Sequence, residues 1–213
     1  MPRRALLLGG MTTAYHQFWI NGPALRDILA AAGFETFLSE DLEVLASPSL
    51  SHYDLVVNLT TGRDLSPEGE RGLTAFVRGG RGLVGIHNAT DTFKASAWYM
   101  AAIGARFLTH PAQLDIAVEY TDVAHPIVAG LPAFTVKDEL YIMDWAPDNV
   151  HLLAQTHSHE GRLVPLSWVR QEGAGRVFYL SLGHNRSTYD VPEFRAWVSR
   201  GAQWAAGAAA PAS

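Results

Sequence analysis

The chain contains no cysteine among its 213 residues. This absence excludes disulfide bonds, zinc sites built from thiolates and any mechanism that uses a cysteine nucleophile. It leaves the cellular compartment open, because a protein without cysteine tolerates either redox state. Acid–base, nucleophilic or metal chemistry in this chain therefore has to come from its histidines, carboxylates and hydroxyls.

The sequence also lacks a long apolar run and a cluster of basic residues. The apolar residues 5–8 are too few for a signal peptide and are followed by Gly9-Gly10, so they predict a buried strand. No segment approaches the length of a transmembrane helix. The 16 Lys and Arg residues are scattered and the formal net charge is −5, which argues against nucleic acid or an anionic membrane as a partner. We expect a cytoplasmic protein.

The first half of the chain alternates strand-like and helix-like segments. Residues 6–8, 54–59 and 83–86 are short apolar strands that end in small or polar residues, as in a parallel sheet covered on both faces. Helices are predicted over 21–33 and 66–79, each opening near a proline and closing at glycine. This order predicts an α/β fold with a flavodoxin-like, doubly wound, mostly parallel sheet and helices on both faces.

The second half is predicted to add more strands and a last helix. The turn 172–175, Glu-Gly-Ala-Gly, predicts an antiparallel hairpin between its two flanking strands. One domain is expected over 1–206, with a frayed tail over 207–213. The predicted strands are 114–120, 150–155, 164–170 and 176–182, and the predicted helix is 192–206.

Several polar residues follow the predicted strands directly. Ligands of open α/β sheets bind outside the carboxyl ends of the strands, so these side chains are expected around one concavity. Gly85-Ile86-His87-Asn88-Ala89 has the outline of a nucleophile elbow, with histidine where serine or cysteine would stand. The residues at the strand exits are His16, Thr60, Thr61, His87, Asn88 and His184.

A set of motifs links the chain to a known family. The motifs are Gly85-Ile86-His87-Asn88-Ala89, Phe107-Leu108-Thr109-His110-Pro111, His125-Pro126-Ile127, Asp138-Glu139-Leu140-Tyr141, Pro165-Leu166-Ser167-Trp168 and the segment 175–184. In this order they resemble the trehalose-utilisation (ThuA-like) family over about residues 4–204. The resemblance implies a class I glutamine amidotransferase-like fold without a working Cys-His-Glu triad. It also implies a link to trehalose and related, often 3-keto, sugars. His87 resembles the position of the amidotransferase cysteine, and His184 that of its histidine.

The candidate site combines these histidines with a carboxylate. Either Asp138 or Glu139 could supply it, and Glu139 is the residue we choose. The family pattern brings in His110. Tyr141 and Trp168 are candidate aromatic platforms for a sugar ring, although Trp168 lies inside a strand and a core position fits it equally well. The predicted catalytic residues are His87, His110, Glu139 and His184. The predicted substrate contacts are His16, Thr60, Thr61, Asn88, Tyr141 and Trp168.

These residues predict a sugar-metabolism enzyme that acts on trehalose-like or 3-keto-glycoside substrates by histidine and carboxylate acid–base chemistry. Hydrolysis, elimination and isomerisation all remain open, and no glutamine amidotransferase activity is expected. One alternative is a non-catalytic binding or regulatory module on the same fold. Another is a metal-dependent hydrolase, with zinc or a similar ion held by His87, His110, His184 and Glu139. The expected partner is a small-molecule sugar, and assembly into a homo-oligomer is left open.

Overall fold

The computed structural model describes residues 2–10, 15–158 and 160–207. The strands in these residues are β1 (Arg3–Leu8), β2 (Phe34–Ser39), β3 (Leu55–Asn58), β4 (Gly82–Ile86), β5 (Ala105–Thr109), β6 (Leu114–Ala117), β7 (Glu119–Tyr120), β8 (Thr135–Asp138), β9 (Ile142–Trp145), β10 (His151–His157), β11 (Leu163–Glu172) and β12 (Gly175–Leu180). The α-helices are α1 (Phe18–Ala31), α2 (Pro67–Arg78), α3 (Ala97–Ile103) and α4 (Pro192–Ala205).

A large central sheet organises the part of the chain that the structure describes. It has eight strands in the order β2-β1-β3-β4-β12-β11-β10-β7. The first five strands in this order, from β2 to β12, are parallel to their neighbours. The last three strands, β11, β10 and β7, each pair antiparallel with the strand before them. Two small antiparallel sheets, β5 with β9 and β6 with β8, lie outside it. The predicted mostly parallel α/β sheet and the hairpin between β11 and β12 are confirmed.

Helices cover both faces of the sheet. Leu25 of α1 and Trp197 of α4 belong to one buried core, whereas Leu73 of α2 and Tyr99 of α3 belong to a second. The residues of β3 and β4 are buried throughout, because apolar side chains on both faces meet a helical layer. Ser66 caps α2 as predicted, its hydroxyl accepting from the backbone N–H of Gly69.

Two predicted elements differ from the structure. Helix α1 begins at Phe18, ahead of the predicted start, because the buried Phe18 ring packs on Gly9, where a Cβ would lie 2.0 Å from the ring. The predicted strand 114–120 is two strands, since β6 pairs with β8 while β7 joins the central sheet. The predicted frayed tail lies outside the described residues except for Gly207. No helix within the described ranges has the length and apolar character needed to span a bilayer.

Candidate active site

The exit of β4 is a strained turn that presents a histidine. His87 has φ 45°, in the left-handed region that non-glycine residues rarely occupy, and its side chain is fully buried. The hydroxyl of Tyr179 donates to the His87 carbonyl at 2.7 Å and helps to hold the turn. A Cβ on Gly85 would lie 2.5 Å from Ile103 Cδ1, so the end of the Ile103 side chain would have to move to admit any other residue behind the turn. The geometry is that of the elbow predicted from the sequence.

The orientation of the His87 ring follows from one hydrogen bond. Nδ1 lies 2.7 Å from the carbonyl oxygen of Ser181, and a carbonyl only accepts, so Nδ1 carries the proton. In the neutral ring Nε2 therefore presents a lone pair. Nε2 is buried, makes no hydrogen bond among the described residues, and lies 3.4 Å from Oε2 of Glu139.

The two adjacent carboxylates have different roles. Asp138 ends β8 on its buried side and accepts from four donors. These are the backbone N–H groups of Glu139 (2.8 Å), Gly183 (3.0 Å) and His184 (3.1 Å) and the hydroxyl of Thr188 (2.7 Å). Asp138 thus fixes the loop that carries His184. Glu139 follows the strand and is the carboxylate that reaches the histidines.

Glu139 is surrounded by imidazoles. Its Oε2 lies 3.0 Å from Nδ1 of His184 and 3.4 Å from Nε2 of His87, and its Oε1 lies 3.6 Å from Nε2 of His110. Within the described residues no lysine or arginine comes within ion-pair distance of it. Burial raises the pKa of the Glu139 carboxyl, but the adjacent His184 and His87 outweigh this effect and hold that pKa well below its usual range.

His16 completes a compact group of four. Its ring centroid lies 5.1 Å from those of both His87 and His184. Nδ1 hydrogen-bonds the hydroxyl of Thr61 at 2.9 Å, and Nε2 lies 3.5 Å from the hydroxyl of Tyr141. Burial, reinforced by the charges of His87 and His184, lowers the pKa of His16 to about 3. The ring is therefore neutral near neutral pH.

His184 follows the exit of β12, directly after Gly183. Gly183 has φ 122°. The Asn21 side chain donates to the His184 carbonyl at 3.1 Å. Although Nδ1 is only 3.0 Å from Oε2 of Glu139, it is not aligned with that oxygen as a hydrogen bond. One donor atom from each of His16, His87, Glu139 and His184 lies within 4.8 Å of the others, so this set could hold a metal ion.

His110 stands outside this group on its solvent-exposed side, which we call the entrance. It follows β5, and its side chain is 37% exposed. Nδ1 hydrogen-bonds the Pro111 carbonyl at 2.8 Å, which turns Nε2 toward Oε1 of Glu139. The structure thus places His110 beside the carboxylate but not among the four clustered donors. His16, predicted as a substrate contact, takes that place.

Tyr141 and Trp168, the two predicted sugar platforms, are both covered. The ring of Tyr141 packs at 4.1 Å from the His87 ring and 4.3 Å from that of Phe107, and burial raises the pKa of its hydroxyl. Trp168 is fully buried in the core, donates its indole N–H to the Ile103 carbonyl at 2.8 Å and packs on Tyr179. The platform prediction for Trp168 is corrected accordingly, because residues 164–169 of β11 are all buried and neither face of the strand presents the ring to solvent there. Tyr141 remains a site residue through its hydroxyl.

The predicted contacts at the β3 and β4 exits form a supporting layer. The amide of Asn88 donates to the hydroxyl of Thr61, which in turn holds His16. Thr60 is buried, and its hydroxyl bonds Asn58 and Thr92, so it braces the turn rather than facing a ligand.

The sequence did not predict two features of the site, the contact of His87 with the Ser181 carbonyl and the bracing role of Asp138. A backbone acceptor carries no sequence signal, whereas the burial alternation of β8 could have separated Asp138 from Glu139.

Fold and site together define an α/β protein of the flavodoxin type in which histidine stands at the elbow. The chain belongs to the ThuA family, described as trehalose utilisation, whose model matches residues 4–205. This match confirms the resemblance read from the motifs. No curated protein shows significant sequence similarity to the chain.

Solved structures share the fold. A ThuA-like protein from Parabacteroides merdae superposes with a TM-score of 0.88 at 23% identity, over 100% of this chain and 93% of the other. A ThuA-like protein from Bacteroides uniformis gives 0.80 at 18% identity, over 95% and 91%. A protein of Salmonella typhimurium LT2, described as cytoplasmic, gives 0.71 at 11% identity, over 95% and 99%. At these identities the likeness shows the fold alone.

Proposed function

We propose that the chain is an enzyme of carbohydrate metabolism that acts on trehalose-like or 3-keto-glycoside substrates by proton transfer at Glu139 and its histidines. The observation that carries the proposal is a buried carboxylate faced by imidazoles and by no permanent cation among the described residues. Membership of a family described as trehalose utilisation supports the substrate class. The similar Salmonella protein is described as cytoplasmic, and we propose the same compartment for this activity.

The two carboxylate oxygens of Glu139 face different histidines. Oε2 faces the inner rings of His87 and His184, whereas Oε1 faces His110 at the entrance. A substrate that enters past His110 meets a base and an acid as a coupled pair. This pair can remove the proton from the carbon beside a sugar carbonyl, a step for which imidazole and carboxylate are suited near neutral pH. Return of the proton to the departing glycosidic oxygen completes an elimination. Return of the proton to the former carbonyl carbon, with the hydroxyl proton passing from its oxygen to the former carbonyl oxygen, completes an isomerisation.

The elbow does not support the amide chemistry of its glutamine amidotransferase relatives. His87 has replaced the nucleophile, and its Nδ1 is committed to the Ser181 carbonyl. The chain has no thiol to form an acyl intermediate. We therefore expect no release of ammonia from glutamine.

The test is turnover of 3-keto-trehalose and of trehalose by the purified protein, with products separated by chromatography. We expect consumption of the keto sugar, and a loss of about 10²- to 10⁴-fold in Glu139→Gln, the usual contribution of acid–base catalysis. Glu172→Gln is the matched control, because Glu172 is equally buried but lies away from the histidines. Absence of turnover of both sugars, or an unchanged rate in Glu139→Gln, contradicts the proposal.

A further inference from the structure

Two of the inner histidines are oriented by hydrogen bonds outside the site. Nδ1 of His87 bonds the Ser181 carbonyl, and Nδ1 of His16 bonds the Thr61 hydroxyl. Histidines that bind metals commonly have such an outer partner on one ring nitrogen, which fixes the ring and leaves the other nitrogen for the ion. In His87 this leaves Nε2, and in His16 it directs Nε2 to the side of the ring that faces the Tyr141 hydroxyl at 3.5 Å.

Two buried nitrogens in the site have an unmet bonding requirement. Nε2 of the fully buried His87 and Nδ1 of His184 make no hydrogen bond among the described residues. Buried polar atoms are nearly always bonded, so an unbonded pair that faces one carboxylate oxygen points to a missing ligand. Both nitrogens face Oε2 of Glu139.

The two donors nearest Oε2 of Glu139 are spaced as in a metal centre. With metal–ligand bonds of about 2.0–2.2 Å, neighbouring donors of a tetrahedral site lie roughly 3.3 Å apart. The distances from Oε2 of Glu139 are 3.4 Å to His87 and 3.0 Å to His184. All four donors, including that of His16, lie within 4.8 Å of one another.

We propose that His16, His87, His184 and Glu139 bind one divalent transition-metal ion, with zinc as the expected occupant. Three neutral imidazoles and one carboxylate suit zinc and its neighbours, whereas magnesium and calcium prefer oxygen ligands. His16 replaces His110 in the ligand set predicted from the sequence. His110 stays at the entrance as a proton carrier. The ion's part in sugar chemistry rests on the proposed function, but its binding does not.

The experiment measures metal binding directly. The protein is stripped with a chelator, dialysed and titrated with Zn²⁺, Mn²⁺ or Mg²⁺ by calorimetry, and the bound metal is counted by elemental analysis. We expect one equivalent of zinc, weaker binding of manganese and none of magnesium. Failure of the stripped protein to take up zinc or manganese overturns the proposal.

Four variants assign the ligands. We expect His16→Ala and Glu139→Gln to weaken zinc binding by at least about 100-fold, since loss of outer partners alone costs roughly 10- to 100-fold. His110→Ala and the surface control His157→Ala should keep the wild-type affinity. Circular dichroism and urea midpoints establish that each variant is folded. Equal affinity in folded His16→Ala and wild type, or an equal loss in His110→Ala, overturns the ligand set.

The outcomes for the site and for the function are separable. Stoichiometric zinc binding without turnover of any sugar leaves the metal site standing and overturns the proposed function. If protein shown to be metal-free turns over the sugar at the full rate, the proposed function stands and the ion has no role in that reaction.

Discussion

Two glutamates of this protein are equally buried and yet have opposite surroundings. Glu139 is 7% exposed and Glu172 is 8% exposed. Glu172 receives hydrogen bonds from Arg78 (2.8 Å), Arg170 (3.0 Å) and the indole of Trp98 (3.1 Å). Among the described residues, the charged or ionisable partners of the Glu139 carboxylate are imidazole nitrogens, at 3.0 to 3.6 Å.

The difference distinguishes a carboxylate with structural partners from the one that we propose to be functional. Arginine keeps its charge at every accessible pH, so Glu172 has permanent partners with good geometry. Histidine gains and loses its proton near neutral pH, so the partners of Glu139 can exchange protons or give their lone pairs to a metal. A carboxylate buried among histidines is favourably placed for chemistry, whereas one buried among arginines stabilises the fold.

Strand β12 runs from the surroundings of Glu172 to those of Glu139. β12 begins at Gly175, which pairs with Glu172 in the hairpin, and it ends at Leu180, just before Ser181 and His184. The structural carboxylate therefore lies near the start of the strand, and the carboxylate that we propose to be functional lies near its carboxyl end. This agrees with the rule that open α/β sheets bind ligands at the carboxyl ends of their strands.

The largest expected effect comes from removing Asp138, the residue that fixes the loop carrying His184. Asp138→Ala leaves three backbone N–H groups and the Thr188 hydroxyl without their acceptor. We expect a loss of about 3–5 kcal/mol in the free energy of unfolding, because unpaired buried donors are costly. Urea denaturation measures it. Asp138→Asn, which keeps one acceptor oxygen, should lose less, and a loss below about 1 kcal/mol in Asp138→Ala would show that the loop does not depend on this residue.

Much of the fold was predictable from the sequence, because it depends on local patterns. Continuous apolar strands, the Ser66-Pro67 helix start and the glycine-rich hairpin turn each have a direct cause within a few residues. The start of α1 was misplaced because it depends on the contact between Phe18 and Gly9, which are distant in sequence.

The site was predictable as a set of residues but not as a geometry. The rule that ligands bind at strand ends brought His87, His184 and His16 to one edge of the sheet. It could not show that His16 rather than His110 joins the inner group, since that depends on where two irregular loops fold. The same rule could not decide whether the Trp168 ring lies in the core or at the surface, because an apolar strand is compatible with either position.

A second prediction concerns the structural glutamate. Glu172→Gln removes the charge that pairs with Arg78 and Arg170. We expect a loss of about 1–3 kcal/mol in stability, typical of hydrogen bonds to charged groups, with sugar turnover and zinc binding unchanged. Urea denaturation and the activity assay measure both. Glu119→Gln, at an exposed pair with His157, is the control and should cost less than about 1 kcal/mol. A loss of activity in folded Glu172→Gln would remove the contrast between the two ends of β12.

A third prediction tests the other side of the comparison. Glu139→Gln in metal-free protein should change the free energy of unfolding by less than about 1 kcal/mol at a pH where the imidazoles are neutral, because neutral imidazoles offer the carboxylate only long or poorly aligned contacts. The same substitution abolishes turnover if Glu139 acts as proposed. A stability loss as large as that of Glu172→Gln would mean that the histidines serve Glu139 as structural partners.

The smallest effect is a pH dependence confined to Glu172. Burial raises the pKa of its carboxyl, but the hydrogen bonds from Arg78 and Trp98 and the charge of Arg170 hold that pKa below its ordinary value near 4.5. A lowered folded-state pKa gives stability that is complete above the unfolded-state value. Below that value, the unfolded chain takes up the proton first, and the stability is lost as the pH falls through the folded-state pKa.

The difference in unfolding free energy between wild type and Glu172→Gln should therefore be constant from about pH 7 to 6 and shrink below about pH 4.5. Urea denaturation of both proteins across this range gives the difference directly, and groups that titrate alike in both cancel from it. A difference that stays constant down to about pH 3 would mean that the arginines do not shift the protonation of Glu172.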